Sequence, residues 1–304
     1  MDGKRYNSLS GELKRYFGDK VGKIAIDGGF TCPNRDGRLG NRGCIYCGER
    51  GSGEFTHQGI SISEQIARQI VDNAEKWKTK RHIAYFQSFT NTYATLDRLK
   101  ELYEEALKIP GIVGLAIATR PDCIPEDVLD YLEDLNRRTY LWVELGLQTI
   151  HKETAALIRR RYQLSVYDDA VERLSKRGIR TVTHLILGLP GETRDKIMES
   201  VDHVAKTRTW GIKLHSLYIQ RDTDFYGLYK KDPFPIMGKM EYVELVSEAL
   251  SRLPEEMVVH RVTGDGDKRL LHKPEWSADK LSVLSSIDRY MKENEIRQGS
   301  NFKL

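Results

Sequence analysis

Four cysteines in 304 residues are too few for a disulfide scaffold, and a chain of this size in a reducing compartment has no need of one. Nowhere do about 18 consecutive apolar residues occur, so no membrane-spanning helix is expected. The opening stretch MDGKRYNSLSGELKRYFG likewise lacks the apolar run of a secretory signal. These absences point to a soluble cytoplasmic protein with no membrane partner. Neither sign of charge dominates: 48 Lys and Arg against 44 Asp and Glu leave a net charge of +4, only a mild argument for a polyanionic partner. Internal repeats and low-complexity segments are missing too, which excludes a solenoid.

What is there is a chain with 39% hydrophobic residues, enough for a substantial core. Short apolar runs at 23–26, 83–86, 113–118, 140–145, 181–187 and 212–218 alternate with segments of helical period at 63–78, 96–109, 126–135, 166–176 and 193–206. Ser61 or Ser63 caps the first of these helices. Repeated βα units of this kind build a parallel sheet, either doubly wound or curled into a complete or partial barrel, and both forms place function at the C-terminal strand ends. Beyond residue 238, a helix at 241–252, a strand at 257–262 and a helix at 278–292 form an α/β extension, so the expected division is a core at 1–238 with an extension at 239–304 packed on it.

Cys32, Cys44 and Cys47 stand in TCPNRDGRLGNRGCIYC, after the first expected strand and the pair Gly28-Gly29. Two residues separate Cys44 from Cys47, an arc that lets two thiolates reach one metal centre. The eleven residues before Cys44, with Gly37, Gly40 and Gly43, can fold back to bring Cys32 alongside. Three thiolates without a fourth make an incomplete cage. A [4Fe–4S] cluster normally takes four cysteines, and structural zinc closes its shell whereas catalytic zinc keeps a position open. The spacing alone fits two readings: a cluster with one iron left for a ligand, or a zinc site with His57 as fourth ligand. Cys123, the remaining cysteine, reads as a packed thiol.

Over residues 20–230 the chain resembles the radical S-adenosylmethionine (SAM) superfamily. Its C-x11-C-x2-C spacing is similar to the widened loop of the Elongator catalytic-subunit-like branch, and more closely to that of YhcC/YtqA-type proteins. The resemblance implies a partial (β/α)6 TIM-like barrel with a C-terminal α/β extension. It also implies a cluster loop at 28–50, in which Cys32, Cys44 and Cys47 ligate a [4Fe–4S] cluster whose fourth iron SAM chelates, with Tyr46 near the adenine. In YFQSFTNTY, the polar residues Gln87, Ser88, Thr90 and Asn91 occupy the place where the family binds the SAM amino group, often through a Gly-Gly-Glu sequence that is replaced here. LAIATRPDC carries Ala118 where relatives often have glutamate, which leaves Thr119, Arg120 or Glu144 to supply the ribose contact.

WVELGLQT closely resembles the ELGVQS stretch of coproporphyrinogen dehydrogenase-like and Elongator-like enzymes; on that match Glu144, Gln148 and Arg160 surround SAM, with Arg160 paired to its carboxylate. HLILGLPGET supplies Ile186 and Gly188 to the adenine in the same way. Read from the residues alone, Glu144 at the mouth of a parallel sheet is a buried carboxylate that needs a ligand or a cation. His184 is either cavity-facing or structural. His215, Tyr218, Gln220 and Arg221 are candidate substrate contacts, while Arg261, Asp265, Asp267 and Lys268 either close over the site or form a connecting loop.

The resemblance implies a radical SAM enzyme: the reduced cluster gives one electron to SAM, and the resulting 5′-deoxyadenosyl radical abstracts a substrate hydrogen. The branch points to transfer RNA, with a carboxymethylaminomethyl group at position 5 of the wobble uridine processed towards aminomethyl. An electron donor such as flavodoxin or ferredoxin is then a partner. The runs Arg159-Arg160-Arg161 and Arg137-Arg138 fit a phosphate track or plain solvated faces. Two alternatives stay open: radical chemistry on a small metabolite or porphyrin-like compound, and a non-catalytic, zinc-stabilised RNA-binding protein.

Overall fold

Strands that are apolar on successive residues can be satisfied only when both faces of the sheet are covered. The computed structural model, which describes residues 3–303 apart from 52, 54, 55 and 265, builds the six apolar runs into one such sheet. In chain order the elements are α1 (Leu9–Phe17), β1 (Gly22–Ile26), α2 (Ile62–Asp72), α3 (Ala74–Trp77), β2 (His82–Phe86), α4 (Leu96–Leu107), β3 (Ile112–Thr119), α5 (Glu126–Arg138), β4 (Tyr140–Gln148) and α6 (Lys152–Leu157). They continue with α7 (Leu164–Lys176), β5 (Arg180–Leu187), α8 (Arg194–Lys206), β6 (Gly211–Ser216), β7 (Ile219–Gln220), α9 (Asp224–Lys231), α10 (Lys239–Ser251), β8 (Val258–Arg261), β9 (Leu271–Lys273) and α11 (Lys280–Glu293). The main sheet runs β1-β2-β3-β4-β5-β6-β8 with every pair parallel, and β7 with β9 makes a separate antiparallel ribbon. The result is a curled α/β half-barrel, the partial barrel expected from the sequence.

The two faces of the sheet are packed differently. Outward residues such as Ile24, Phe86, Leu115, Val143, Leu185 and Leu214 join helix residues, among them Leu99, Leu132, Val171 and Val201, in one large core. On the concave face Ile83, Tyr85, Ala116, Tyr140, Trp142 and Val182 form a second cluster with Leu13 of α1. Leu9, Leu13 and Phe17 recur every four residues and so share one stripe of α1, which fills the concave face near the N-terminal strand ends. Ser8 fixes where α1 begins by accepting the Gly11 N–H at 3.1 Å, and Gly18, left-handed at φ 75°, ends it.

Several boundaries differ from those read in the sequence. The helix expected over 63–78 breaks at Asn73, whose amide donates to the Gln69 carbonyl at 3.0 Å. The sixth strand leaves the sheet after Ser216, and Ile219–Gln220 turns aside to pair with β9. The strand of the extension, β8, continues the same sheet as its seventh member, with Gly211 opposite Val258 and Lys213 opposite Arg261. Tyr242, Val246 and Leu250 of α10 and Val283 and Ile287 of α11 belong to the large core as well. Among the described residues, no helix is long and apolar enough to cross a membrane.

Candidate active site

The open, C-terminal end of the half-barrel holds a cavity of about 220 Å³, and Cys32, Cys44 and Cys47 all line it. Backbone turns fold the cysteine loop back on itself. The Cys32 carbonyl accepts the N–H groups of Arg35 and Asp36 at 2.7 and 3.1 Å, Leu39 donates to the Pro33 carbonyl at 2.8 Å, and Gly43 donates to that of Asn34 at 2.8 Å. The Cys47 N–H closes the last turn on the Cys44 carbonyl at 3.0 Å. Buried Asn34 ties the loop to the barrel, its Nδ2 donating to the Arg159 carbonyl at 2.9 Å and lying 3.3 Å from Cys44 Sγ. Gly43 is left-handed at φ +73°, and a Cβ there would lie 2.8 Å from Arg35 Nε. That guanidinium donates in turn to the carbonyls of Cys47 and Gly48 at 2.8 and 2.7 Å.

Of the remaining residues singled out in the sequence, Tyr46, Gln87, Thr90, Glu144, Gln148, Arg160 and Ile186 line the same cavity. Ser88 and Gly188 do not. Ser88 is fully buried beside the loop, its Oγ 3.5 Å from Thr56 Oγ1. Gly188, at φ +93°, abuts Met237, whose Cε would lie 2.4 Å from a Cβ at that position. Strand β4 ends in a register shift between Gly146 and Gln148, with Gln148 itself at φ 68°. A non-glycine residue pays for that conformation in strain, and such residues gather at binding sites. Arg160 is buried, and its Nε, Nη1 and Nη2 all donate to backbone carbonyls of Leu147, Thr149 and Tyr162. Thr119 and Arg120 line the cavity too, and Arg120 forms a bidentate pair with Asp122 at 2.9 and 2.8 Å.

His215, Tyr218 and Arg261 reach the cavity, whereas Gln220, Arg221, Asp267 and Lys268 are not among its lining residues. Asp267 pairs with Arg269 at 2.6 Å. Asp265 lies outside the described residues. Cys123 is buried away from the cavity, its thiol pushed up to about 12 by burial and by Asp122.

Sequence reasoning named Glu144 and its need for a ligand or a cation but missed the cation, Lys213, and the network that gathers around the pair. Glu144 accepts from Trp142 Nε1 at 2.9 Å on one oxygen, and on the other from Tyr85 Oη at 2.7 Å, His184 Nε2 at 2.9 Å and Lys213 Nζ. Lys213 also donates to Tyr85 Oη at 3.0 Å. Burial works to raise the Glu144 carboxyl, but Lys213, His184 and Lys23 together hold it well below the usual carboxylate range. The signal was available: a glutamate in WVELGL needs a buried cation, and GIKLHS carries one lysine inside an apolar strand.

The model of the Radical SAM superfamily matches residues 36–204, and that of the Radical_SAM C-terminal domain matches residues 209–293. The chain belongs to the radical SAM superfamily. It is 45% identical over 304 residues to the uncharacterized protein YtqA of Bacillus subtilis (strain 168), covering 99% of this chain and 94% of that protein. To the tRNA uridine(34) acetyltransferase of Methanocaldococcus infernus it is 27% identical over 177 residues, which cover 56% of this chain and 33% of the relative. The solved structure of archaeal Elp3 from Methanocaldococcus infernus, lacking residues 1–46, superposes with a TM-score of 0.68 at 19% identity, over 91% of this chain and 64% of that one. This last likeness concerns the fold, the partial barrel of radical SAM enzymes.

Radical SAM enzymes use a [4Fe–4S] cluster and SAM, and the residues present fit that pair. Burial pushes the Cys44 and Cys47 thiols up, Cys47 to about 11, against the opposing pull of Arg120 on Cys44 and Arg35 on Cys47. Sulfurs so placed become thiolates beside a strong local cation such as a metal centre. The zinc reading loses its fourth ligand: His57 is absent from the cavity lining, and its Nε2 lies 3.6 Å from the Asp72 carboxylate. Among the described residues no three His, Cys, Asp or Glu side chains are grouped to hold a single metal ion. A cluster spreads its thiolate ligands over several irons.

Proposed function

We propose that this radical SAM enzyme acts on transfer RNA, processing a carboxymethylaminomethyl group at position 5 of the wobble uridine towards aminomethyl, with a flavodoxin- or ferredoxin-type protein as electron donor. The observation that carries the reading is the similarity to a tRNA uridine(34) acetyltransferase over 177 residues. The surface around the cysteine loop supports it. Arg42 and Arg161 are exposed and adjoin the cavity-lining residues Gly43, Arg160 and Tyr162 in sequence, a placement suited to phosphates flanking an inserted nucleotide. Bound together, the [4Fe–4S] cluster and SAM supply one-electron chemistry able to activate a C–H bond. In this reading Cys32, Cys44 and Cys47 hold the cluster. Gln87, Thr90, Thr119, Gln148 and Ile186 position SAM, with Tyr46 beside the adenine. The enclosing walls keep water from the reacting carbon.

The test is anaerobic reconstitution with iron and sulfide, followed by reduction in the presence of SAM and tRNA, with nucleosides read by mass spectrometry. Wild type should yield 5′-deoxyadenosine together with loss of the carboxymethylaminomethyl nucleoside, and Cys32→Ala, Cys44→Ala and Cys47→Ala should yield neither. SAM cleavage that no tRNA stimulates, with no nucleoside altered, would remove tRNA as the substrate.

A further inference from the structure

Arg35 spans the cysteine loop from its first cysteine to its last. Its backbone N–H donates to the Cys32 carbonyl at 2.7 Å, and its Nη2 donates to the carbonyls of Cys47 and Gly48 at 2.8 and 2.7 Å. Two neighbours hold the charged end in place. Gly43 leaves the room it occupies, since a Cβ there would lie 2.8 Å from Nε and 3.1 Å from Cζ, and the Phe89 ring flanks it with its centre 5.5 Å from Cζ. A backbone contact sets that ring: Phe89, at φ 60°, donates its N–H to the Gly51 carbonyl at 2.9 Å. Cys32, Arg35, Gly43, Cys44, Cys47 and Phe89 all line the cavity. Arg120 acts on Cys44 as Arg35 acts on Cys47, but Arg120 is locked in its bidentate pair with Asp122, whose carboxylate offsets its charge. The side-chain hydrogen bonds of Arg35 among the described residues go to uncharged backbone carbonyls.

We propose that Arg35 raises the reduction potential of the cluster, so that a one-electron donor of the flavodoxin or ferredoxin type can reduce it. The potential of an iron–sulfur centre is set by its net charge, the hydrogen bonds around its sulfurs and its exposure to solvent. The electron that the donor gives up adds one negative charge to the centre, and a fixed cation beside a ligating sulfur favours that more negative form. A guanidinium suits the task because it stays protonated throughout the range in which proteins fold. Its two bonds to the turn after Cys47 keep the charge from swinging out towards solvent. The proposal rests on the reading that Cys32, Cys44 and Cys47 hold the cluster. It is independent of the substrate, because the step it concerns is the entry of the electron.

The test is a redox titration of the anaerobically reconstituted protein without SAM or tRNA, followed by the electron paramagnetic resonance signal of the reduced cluster. Arg35→Gln can still donate to the two carbonyls but carries no charge. It should bind as much iron and sulfide as wild type, with a potential lower by at least about 59 mV, a tenfold shift in a one-electron equilibrium. Arg35→Lys keeps the charge and should stay near the wild-type potential. Arg35→Met supplies a second uncharged variant should Arg35→Gln take up too little iron, and its potential should fall in the same way. An unchanged potential in a fully loaded uncharged variant would overturn the proposal. An equal fall in Arg35→Lys would overturn it too, by assigning the effect to hydrogen-bond geometry instead of charge. Iron and sulfide analysis separates these failures from a failure of the reading beneath them: full loading of Cys47→Ala would remove that cysteine as a ligand, and the role of Arg35 with it.

Discussion

Replacing Glu144 by glutamine removes the charge toward which Tyr85, Trp142, His184 and Lys213 all point, and leaves the Lys213 ammonium buried at 2% side-chain exposure without its counter-ion. Breaking a buried pair from one side costs about 3–5 kcal/mol, whereas replacing both partners with apolar residues of similar size is often close to neutral. Glu144→Gln should therefore lower the urea midpoint sharply, and the double variant Glu144→Leu/Lys213→Met should recover most of the loss. A single variant as stable as wild type would show that the pair does not hold the barrel interior.

The same network sets a pH dependence. Burial and then Lys213 lower His184 to about 4, with Glu144 opposing them, while an unfolded chain protonates histidine near 6.5. Between those values the unfolded state binds more protons, so stability rises with pH and acidification costs it. Glu144 acts in the same sense: its depressed folded value gives stability above the unfolded carboxyl pKa that is lost as pH falls through the folded one. Glu144, Lys213, His215 and Arg261 surround His184. Urea unfolding from pH 7 to 4 should show His184→Gln with a shallower slope, by up to about 1.4 kcal/mol per pH unit; an unchanged slope would assign the titration to other buried histidines.

At the scale of elements, α1 is the piece whose contribution is easiest to isolate. Leu13, 4% exposed, touches the cluster of Ile83, Tyr140 and Trp142 that closes the bottom of the concave face. Leu13→Ala should cost about 2–5 kcal/mol, the range for a large buried aliphatic side chain. Chemical denaturation checks it, and a loss under about 1 kcal/mol would mean that α1 only rests on the barrel. The same helix shows where reading the sequence stops. The six strands were legible because burial on both faces writes continuous apolar runs, but α1 carries three apolar anchors among charged neighbours, and what marks it is Ser8 and Gly18 at its ends. Strand β8 was legible as a strand but not as the seventh member of the sheet, because pairing joins residues far apart in sequence. The cysteine spacing said that three thiols could gather at one centre, and they do line one cavity, but spacing alone left cluster and zinc both open. That Ser88 and Gly188 lie off the cavity lining was not legible, because their sequences say only that they follow a strand, and the chain leaves regular pleating there: Phe89 and Gly188 both have positive φ, at 60° and 93°.

Taken whole, the molecule ties its late segment into the sheet rather than hanging it outside. Val259 of β8 donates to the Asn7 carbonyl at 2.7 Å, Gln298 donates to the Arg5 carbonyl at 3.0 Å, and the Gln298 side chain accepts the Asn7 N–H at 2.8 Å. Cutting at residue 238 would remove β8 and expose the edge of β6, where Lys213 now has Arg261 as neighbour. It would also strip Tyr242, Val246, Leu250 and Val283 from the large core, each of them 1% exposed or less. Four such residues represent about 6–12 kcal/mol of burial at roughly 1.5–3 kcal/mol each, comparable with the whole stability of a domain, about 5–15 kcal/mol. A fragment of residues 1–238 should therefore lack a cooperative urea transition and the near-ultraviolet circular dichroism of packed aromatics. A cooperative transition from that fragment would establish residues 1–238 as an independent unit, and β8 would then have been added to a barrel that folds without it.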